Sequence, residues 1–307
     1  MFKLNYQFQK RYLLLFLAFG GMYGNIFAQS DTLKQRINQI IESKHAEVGV
    51  AIYGTEPGDT LSINGNTHFP MQSVYKLHLA FAVLNSVDKG KLNLNRKVSI
   101  IKSDLLPDSW SPLRDKYPNG NIELSMKDIL VYTVSQSDNN GCDLLFRLIG
   151  GPNEVNDYMH SIGIEDIEIK ATEQEMSREW NVQFTNWTTP LAAVQLLKKF
   201  EEGKILSKDS RTFLWETLLG TTTGTNRLKG ELPAGTSVAH KTGSSGKNKT
   251  GISAAVNDIG IVVLPNGKHF LISVFISKSK EDDQTNEKII ADISKMTWDY
   301  YIDKIKK

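Results

Sequence analysis

The stretch FPMQSVYKLHLAFAVLNSVDKG, Phe69 to Gly90, carries the reading of this chain. An apolar helical pattern follows Ser73 and runs on to a glycine, with Pro70 just ahead of it. Lys76 stands three residues after Ser73. Residues three apart share a helix face, so the amine reaches the hydroxyl. Backbone N–H groups at a helix start favour developing negative charge. A lysine held in a dry site loses its proton near neutrality and serves as a base. The same S-x-x-K spacing recurs at Ser86–Lys89, Ser244–Lys247 and Ser277–Lys280, but only Ser73 opens a long apolar helix. Taken alone, the motif also fits a surface serine beside a surface lysine.

Two further stretches add chemistry. YTVSQSDNNGCD contains Ser137–Asp138–Asn139, which occurs once. Its serine offers a proton-relaying hydroxyl and its asparagine an amide to hold a substrate carbonyl. Asp138 is expected to brace the turn through backbone N–H groups. A plain helix-capping cluster is the competing description. AHKTGSSG then carries Lys241–Thr242–Gly243 at the end of a strand-like run. An edge strand of this kind pairs with an acyl substrate while Lys241 and Thr242 attract a carboxylate. The second copy, Lys249–Thr250–Gly251, lies in the turn GKNKTG and reads as solvated.

The remaining pattern supplies a frame. SDTLKQRINQIIESKHA puts Leu33, Ile37, Ile40 and Ile41 on one helical face, with Ser30 or Asp31 as cap. EVGVAIYGT and TLSINGN read as strands joined by EPGD, and the middle of the chain as mostly helical. In TTPLAAVQLLKKFEEGK, Thr188 or Thr189 caps a helix, Pro190 suits its first turn and Gly203 its end. Near residue 230 the pattern changes to three strand-like runs, with LPNGK as a hairpin turn, and a last amphipathic helix follows. The expected class is α/β in the α+β sense, with two lobes and a cleft between them. One lobe is built from 29–72 and 215–307, and an all-helical lobe from 73–214.

Composition narrows the function. The 307 residues are 40% hydrophobic and 23% charged, which suits one large globular unit or two intimate ones. Residues 1–28 carry Lys3, Lys10 and Arg11, then the apolar run YLLLFLAF, then NIFAQS. This describes a secretory signal peptide cleaved after Ala28, too short in its apolar part to span a membrane. Removing those three basic residues and no acidic one leaves 33 basic against 34 acidic. No nucleic-acid or anionic-membrane partner is expected. Cys142, the single cysteine, reads as a buried core thiol, so no internal disulfide forms. No cysteine near residue 28 invites lipid attachment. The scattered histidines lack the close pairs of a zinc hydrolase. A monomer in a Gram-negative periplasm is the expectation.

In the order S-x-x-K, S-D-N, K-T-G, the motifs resemble those of active-site serine β-lactamases and penicillin-binding proteins. Over nearly the whole mature chain the sequence resembles a class A β-lactamase. The stretches LLPDSWSPLR, TTTGTNRLKGELPAGTSVAHKTG and TNEKIIADI look most like the PER-type extended-spectrum branch. The resemblance implies a β-lactamase/transpeptidase-like fold, an antiparallel five-stranded sheet flanked by helices beside a helical lobe. It implies no cofactor. It makes Ser73 the nucleophile, Lys76 the lysine beside it and Ser137 the relay to the leaving nitrogen. Asn139 holds the substrate's side-chain amide. Lys241, Thr242 and Ser244 form the carboxylate-binding edge, and the N–H groups of Ser73 and Ser244 the oxyanion hole. Trp110 falls where the family often has an aromatic at the cleft mouth, or is a packed loop tryptophan. Arg227 is a second cation for the carboxylate, or a surface arginine.

Turnover needs a water activated by a base. KATEQEMSREWN offers Glu173, Glu175 and Glu179. Glu173 lies at the family's interval from Ser137 and is assigned as base, with Glu175 second. Ser177 stands four residues after Glu173, where the family usually has asparagine. That departure implies a rearranged loop and a roomier cleft, suited to bulky cephalosporins. The disulfide that carbapenem-hydrolysing relatives often carry beside the nucleophile is absent. A penicillin-binding D,D-peptidase and a β-lactam sensor that acylates once are the rival expectations.

Overall fold

The computed structural model describes residues 32–54, 56 and 58–306. The expected signal segment, its cleavage site and the caps Ser30 and Asp31 lie outside the described residues. The first described helix, α1, covers 32–41 and buries Leu33 and Ile37. Strands β1 (Glu47–Tyr53) and β2 (Thr60–Ile63) pair antiparallel. Then come β3 (Phe69–Pro70), a 3₁₀ turn Gln72–Val74 and α2 (Tyr75–Asp88). The β4 (Lys97–Ile100) and β5 (Ile122–Ser125) pair flanks a short helix α3 (Pro112–Lys116). Helices α4 (Met126–Ser135), α5 (Asn139–Ile149) and α6 (Pro152–Ser161) follow. Next are β6 (Ile167–Glu168), α7 (Glu173–Arg178), β7 (Trp187–Thr188), α8 (Pro190–Glu201) and α9 (Lys208–Leu219). The chain closes with β8 (Val238–Ser244), β9 (Val256–Val263), β10 (His269–Ser277) and α10 (Asp283–Ile305).

The main sheet has five antiparallel strands in the order β2-β1-β10-β9-β8. Strands β1, β9 and β10 are buried on both faces, which explains their nearly unbroken apolar composition. On one face Val50, Ile272 and Val274 pack with Ile37 of α1 and Ile290 and Ile293 of α10. On the other, Ala239, Ile259 and Phe275 join the helices around Leu77, Phe81 and Phe200 in the larger core. The β9–β10 turn closes with Leu264 N–H donating to Lys268 O at 2.8 Å, and Gly267 takes φ +77.

α2 runs through the larger core. Every residue from Tyr75 to Leu84 is buried, Lys76 and His78 included, so the helix is enclosed on all sides rather than amphipathic. The expected helix start divides in two: Ser73 sits in the 3₁₀ turn and the α-helix proper opens at Tyr75. Of the two threonines read as a cap for α8, Thr189 takes the role, its hydroxyl accepting from Ala192 N at 3.1 Å. The lobe boundary drawn between 214 and 215 falls inside α9, which packs on β8 and on α2 and α4.

The segment before Ser73 is locked to the sheet by Asn257 on β9. Its Nδ2 donates to Pro70 O at 2.9 Å and to Met71 O at 3.1 Å, and its Oδ1 accepts from Ile276 N at 3.3 Å. All of this lies out of reach of water. Asn257→Ala is expected to lower the unfolding free energy by about 2–3 kcal/mol, measured by urea denaturation, because those carbonyls lose their donor.

Candidate active site

Ser73 stands where β3 turns into α2, and the turn forces Gln72 to φ +47. The positive φ costs local strain that the surroundings hold in place. β8 crosses directly behind. A Cβ on Gly243 would lie 2.4 Å from Met71 O, so only glycine lets the strand come this near.

Lys76, the second residue of α2, has no exposed surface. Its Nζ lies 3.0 Å from Ser73 Oγ, 2.8 Å from Ser137 O, 2.5 Å from Asn139 Oδ1 and 3.0 Å from Glu173 Oε1. Four residues from three segments thus converge on one amine. Ser137 takes φ +59, and its Oγ accepts from Lys241 Nζ at 2.9 Å. Lys241 also donates to Thr242 O and is fully buried. Burial, then the neighbouring charge of Lys76, pushes the Lys241 amine well below the usual lysine range.

Asp138 is the N-cap of α5. It accepts from Gly141 N at 2.7 Å, Leu113 N at 2.7 Å and the Ser111 hydroxyl at 2.9 Å. This is the bracing role read from its sequence position, and burial raises its carboxyl above the ordinary value. Cys142 packs in the same core with Sγ 3.5 Å from the Tyr75 hydroxyl.

The three glutamates of the 170–181 segment separate clearly. Glu173, first residue of α7, is buried and faces Lys76. Glu175 turns outward and completes a capping box, accepting from Thr172 N and its hydroxyl at 2.8 and 2.9 Å. Glu179 is exposed at the helix end. Ser177 is exposed too, and its hydroxyl donates back to Gln174 O at 2.8 Å.

Several supporting residues escaped the sequence reading. Asp143 accepts from Glu173 N at 2.8 Å and Gln174 N at 2.9 Å, seating the start of α7. Its spacing of four from Asn139 on one helix face was the available signal. Burial, reinforced by the Glu173 charge, lifts the Asp143 carboxyl to about 6. Asn186 accepts from Lys170 and Ala171 N–H groups, and its carbonyl receives Met71 N at 2.9 Å. Gln72 donates to Gln183, whose own amide donates to Trp180 O.

On the sheet side, Thr242 and Thr223 hydroxyls meet at 2.6 Å. Arg227 is 7% exposed, which removes the surface-arginine reading. Its Nη2 donates to Ser244 Oγ at 2.7 Å, its Nη1 to Gly243 O and Asn257 O, and its Nε to Glu287 at 3.2 Å. Trp110 is 61% exposed rather than packed, with Nε1 donating to Gln136 O at 2.9 Å. Gln72, Trp110, Asn139, Glu173, Trp180 and Ser244 line one cleft of about 220 Å³. A larger hollow of about 720 Å³ lies elsewhere, among Leu105, Leu106, Pro107 and Arg114, and none of the cluster's residues line it.

A five-stranded antiparallel sheet with a helical lobe, and a buried serine–lysine–carboxylate cluster beneath a cleft, define the class A β-lactamase architecture. The chain belongs to the family described as "Beta-lactamase enzyme family", which matches residues 32–301. It is 49% identical over 299 residues to β-lactamase VEB-1 of Pseudomonas aeruginosa, covering 96% of this chain and 99% of that protein. With extended-spectrum β-lactamase PER-1 of the same organism it shares 45% over 278 residues, covering 91% and 90%. The crystal structure of TLA-3 extended-spectrum β-lactamase superposes with a TM-score of 0.88 at 57% identity, covering 89% of this chain and 99% of that one. The protein is a hydrolase that acts on β-lactams.

The seating of α7 is directly measurable. Hydrogen bonds to a carboxylate contribute about 1.5–3 kcal/mol each. Asp143→Ala is therefore expected to speed amide hydrogen exchange at Glu173 and Gln174 at least about tenfold, read by NMR. In the parent, the carboxylate form prevails above about pH 6, so protection of these two amides falls as pH drops through that value.

Proposed function

We propose that Ser73 attacks the lactam carbonyl and forms an acyl-enzyme that Glu173 then hydrolyses through an activated water. The observation that carries this reading is Lys76 Nζ lying 3.0 Å from both Ser73 Oγ and Glu173 Oε1. Lys76 carries the hydroxyl proton to Glu173 as the Oγ–carbonyl bond forms, and returns it to Ser137 once that residue has protonated the departing nitrogen, which leaves Glu173 a carboxylate again. The backbone N–H groups of Ser73 and Ser244 stabilise the oxyanion. Ser137 Oγ protonates the departing lactam nitrogen and is itself in reach of Lys241 at 2.9 Å. Glu173 next takes a proton from water as the water oxygen attacks the ester carbonyl, and Ser73 regains its hydroxyl proton.

Binding follows from the remaining donors. Asn139 Oδ1 is engaged by Lys76, leaving Nδ2 to donate to the substrate's side-chain carbonyl. Lys241, Thr242 and Ser244 hold the anionic group beside the lactam. Arg227 spends its donors on β8 and Glu287, so it adds positive charge and orients Ser244 rather than gripping the substrate in two-point fashion. Trp110 offers an exposed aromatic face at the cleft mouth.

The substrate range we propose is extended to bulky cephalosporins, on the strength of the PER-1 and TLA-3 similarity. The enzyme works as a periplasmic monomer on a small-molecule substrate. Among the described residues no helix is long and apolar enough to cross a membrane.

Glu173→Gln is expected to release about one equivalent of product from nitrocefin and then turn over at least about 100-fold more slowly, with acyl-enzyme visible by mass spectrometry. Full steady-state turnover by this variant would remove Glu173 from deacylation, and single turnover by the parent would favour the sensor reading. The parent is expected to hydrolyse ceftazidime as well as benzylpenicillin. Cleavage of benzylpenicillin alone would end the extended-spectrum assignment.

A further inference from the structure

Residues 105–111 lead into α3 with no helix or strand of their own. This loop borders two spaces. Asp108, Ser109 and Trp110 line the cleft, whereas Leu105, Leu106 and Pro107 line the separate hollow of about 720 Å³. None of the residues from 106 to 110 is buried. Packing therefore holds them weakly, and their position has to come from hydrogen bonds. Arg114 on α3 supplies three. Its Nη1 donates to Leu106 O at 2.8 Å, Pro107 O at 2.6 Å and Ser109 O at 2.6 Å. Its Nε and Nη2 donate to Asp115 Oδ1 at 3.2 and 2.8 Å, which fixes the plane of the guanidinium. Among the described residues no other donor reaches the carbonyls of Pro107 and Ser109. The ends of the loop are tied elsewhere. Leu106 N donates to Asn140 Oδ1 at 3.1 Å, Trp110 O accepts from Asn139 N at 3.0 Å, and the indole donates to Gln136 O. The stretch between those ends hangs on one guanidinium.

We propose that Arg114 is a positioning residue for substrate binding: by gathering the carbonyls of residues 106, 107 and 109 onto one nitrogen, it holds the backbone that presents Trp110 to the cleft. The proposal rests on the reading of Trp110 as the aromatic at the cleft mouth. Arg114 itself lines the hollow and not the cleft, so it acts through the loop. The groups that do the chemistry are secured separately. Asp138 accepts from the Ser111 hydroxyl at 2.9 Å and from Leu113 N at 2.7 Å, and Asn139 Oδ1 is engaged by Lys76. Releasing the loop therefore loosens the cleft wall and leaves Ser73, Lys76 and Glu173 in contact. The loss falls on binding more than on turnover.

The test is a double-mutant cycle on kcat and KM for benzylpenicillin, with the parent, Arg114→Met, Trp110→Ala and the pair, each checked for a cooperative thermal transition. Methionine keeps the apolar stem and removes the donors. Arg114→Met is expected to raise KM about threefold to tenfold and to change kcat by less than about twofold. In the Trp110→Ala background the same substitution is expected to change KM by less than about twofold, because the residue it positions is gone. In fluorotryptophan-labelled protein, the fluorine NMR signal of Trp110, assigned through Trp110→Phe, is expected to shift or broaden in Arg114→Met. If Trp110→Ala raises KM while folded Arg114→Met keeps the parental value, the proposal is overturned. Equal KM increases by Arg114→Met in both backgrounds, or a loss in kcat alone, overturn it as well. Arg114→Gln replaces the methionine variant if that does not fold, and failure of both to fold would make Arg114 a stability element only. If Trp110→Ala leaves KM unchanged, it is the reading of Trp110 that fails.

Discussion

Lys76 brings an amine to a point with no solvent, and the rest of the site is arranged around satisfying it. Taking such a group out of water costs several kcal/mol unless it is paired and hydrogen-bonded. Ser73, Ser137, Asn139 and Glu173 meet that demand from three different parts of the chain. One buried nitrogen therefore couples the Ser73 turn, the loop into α5 and the start of α7. The positive φ at Gln72 and at Ser137 shows that the backbone is bent to make these contacts.

Lys76, Lys241 and Arg227 are buried and cationic in type, and Glu173 and Asp138 are buried acids, the first in direct contact with Lys76. Asp143 stands behind Glu173 and fastens the backbone that carries it. The acids divide the work by what they touch. Asp138 spends its oxygens on N–H groups and the Ser111 hydroxyl, so it holds shape. Glu173 presents Oε1 to the side-chain amine of Lys76 at 3.0 Å, the contact on which its proposed role as base rests.

Supports for the 170–186 segment come from three directions. Asp143 seats its helix, Asn186 ties its root to Met71, two residues before Ser73, and the Gln72–Gln183 contact links its far end to the residue beside Ser73. Ser177, which departs from the family's usual asparagine, is turned to its own helix backbone. The loop's position thus rests on contacts made outside that residue.

Local spacing was enough to mark the short-range features. Ser73 and Lys76 lie one turn apart, Ser137 to Asn139 form one bend, and the LPNGK turn and the Pro190 helix start are decided within a few residues. Sequence by itself also marked the five strands of the main sheet, most plainly the apolar runs of β1, β9 and β10, which are covered on both faces. It offered three glutamates at 173, 175 and 179 without a physical ground for choosing among them beyond a family interval. Tertiary structure separated them, since only the first faces inward while the second is consumed by a cap. It also buried Arg227, exposed Trp110 and set Asp143 against the backbone of Glu173. Most of those outcomes depend on contacts between residues far apart in the chain, 30 positions for Asp143 with Glu173 and 60 for Arg227 with Glu287. Dehydration and charge pairing at such separations are properties of the folded interior, and no local pattern encodes them.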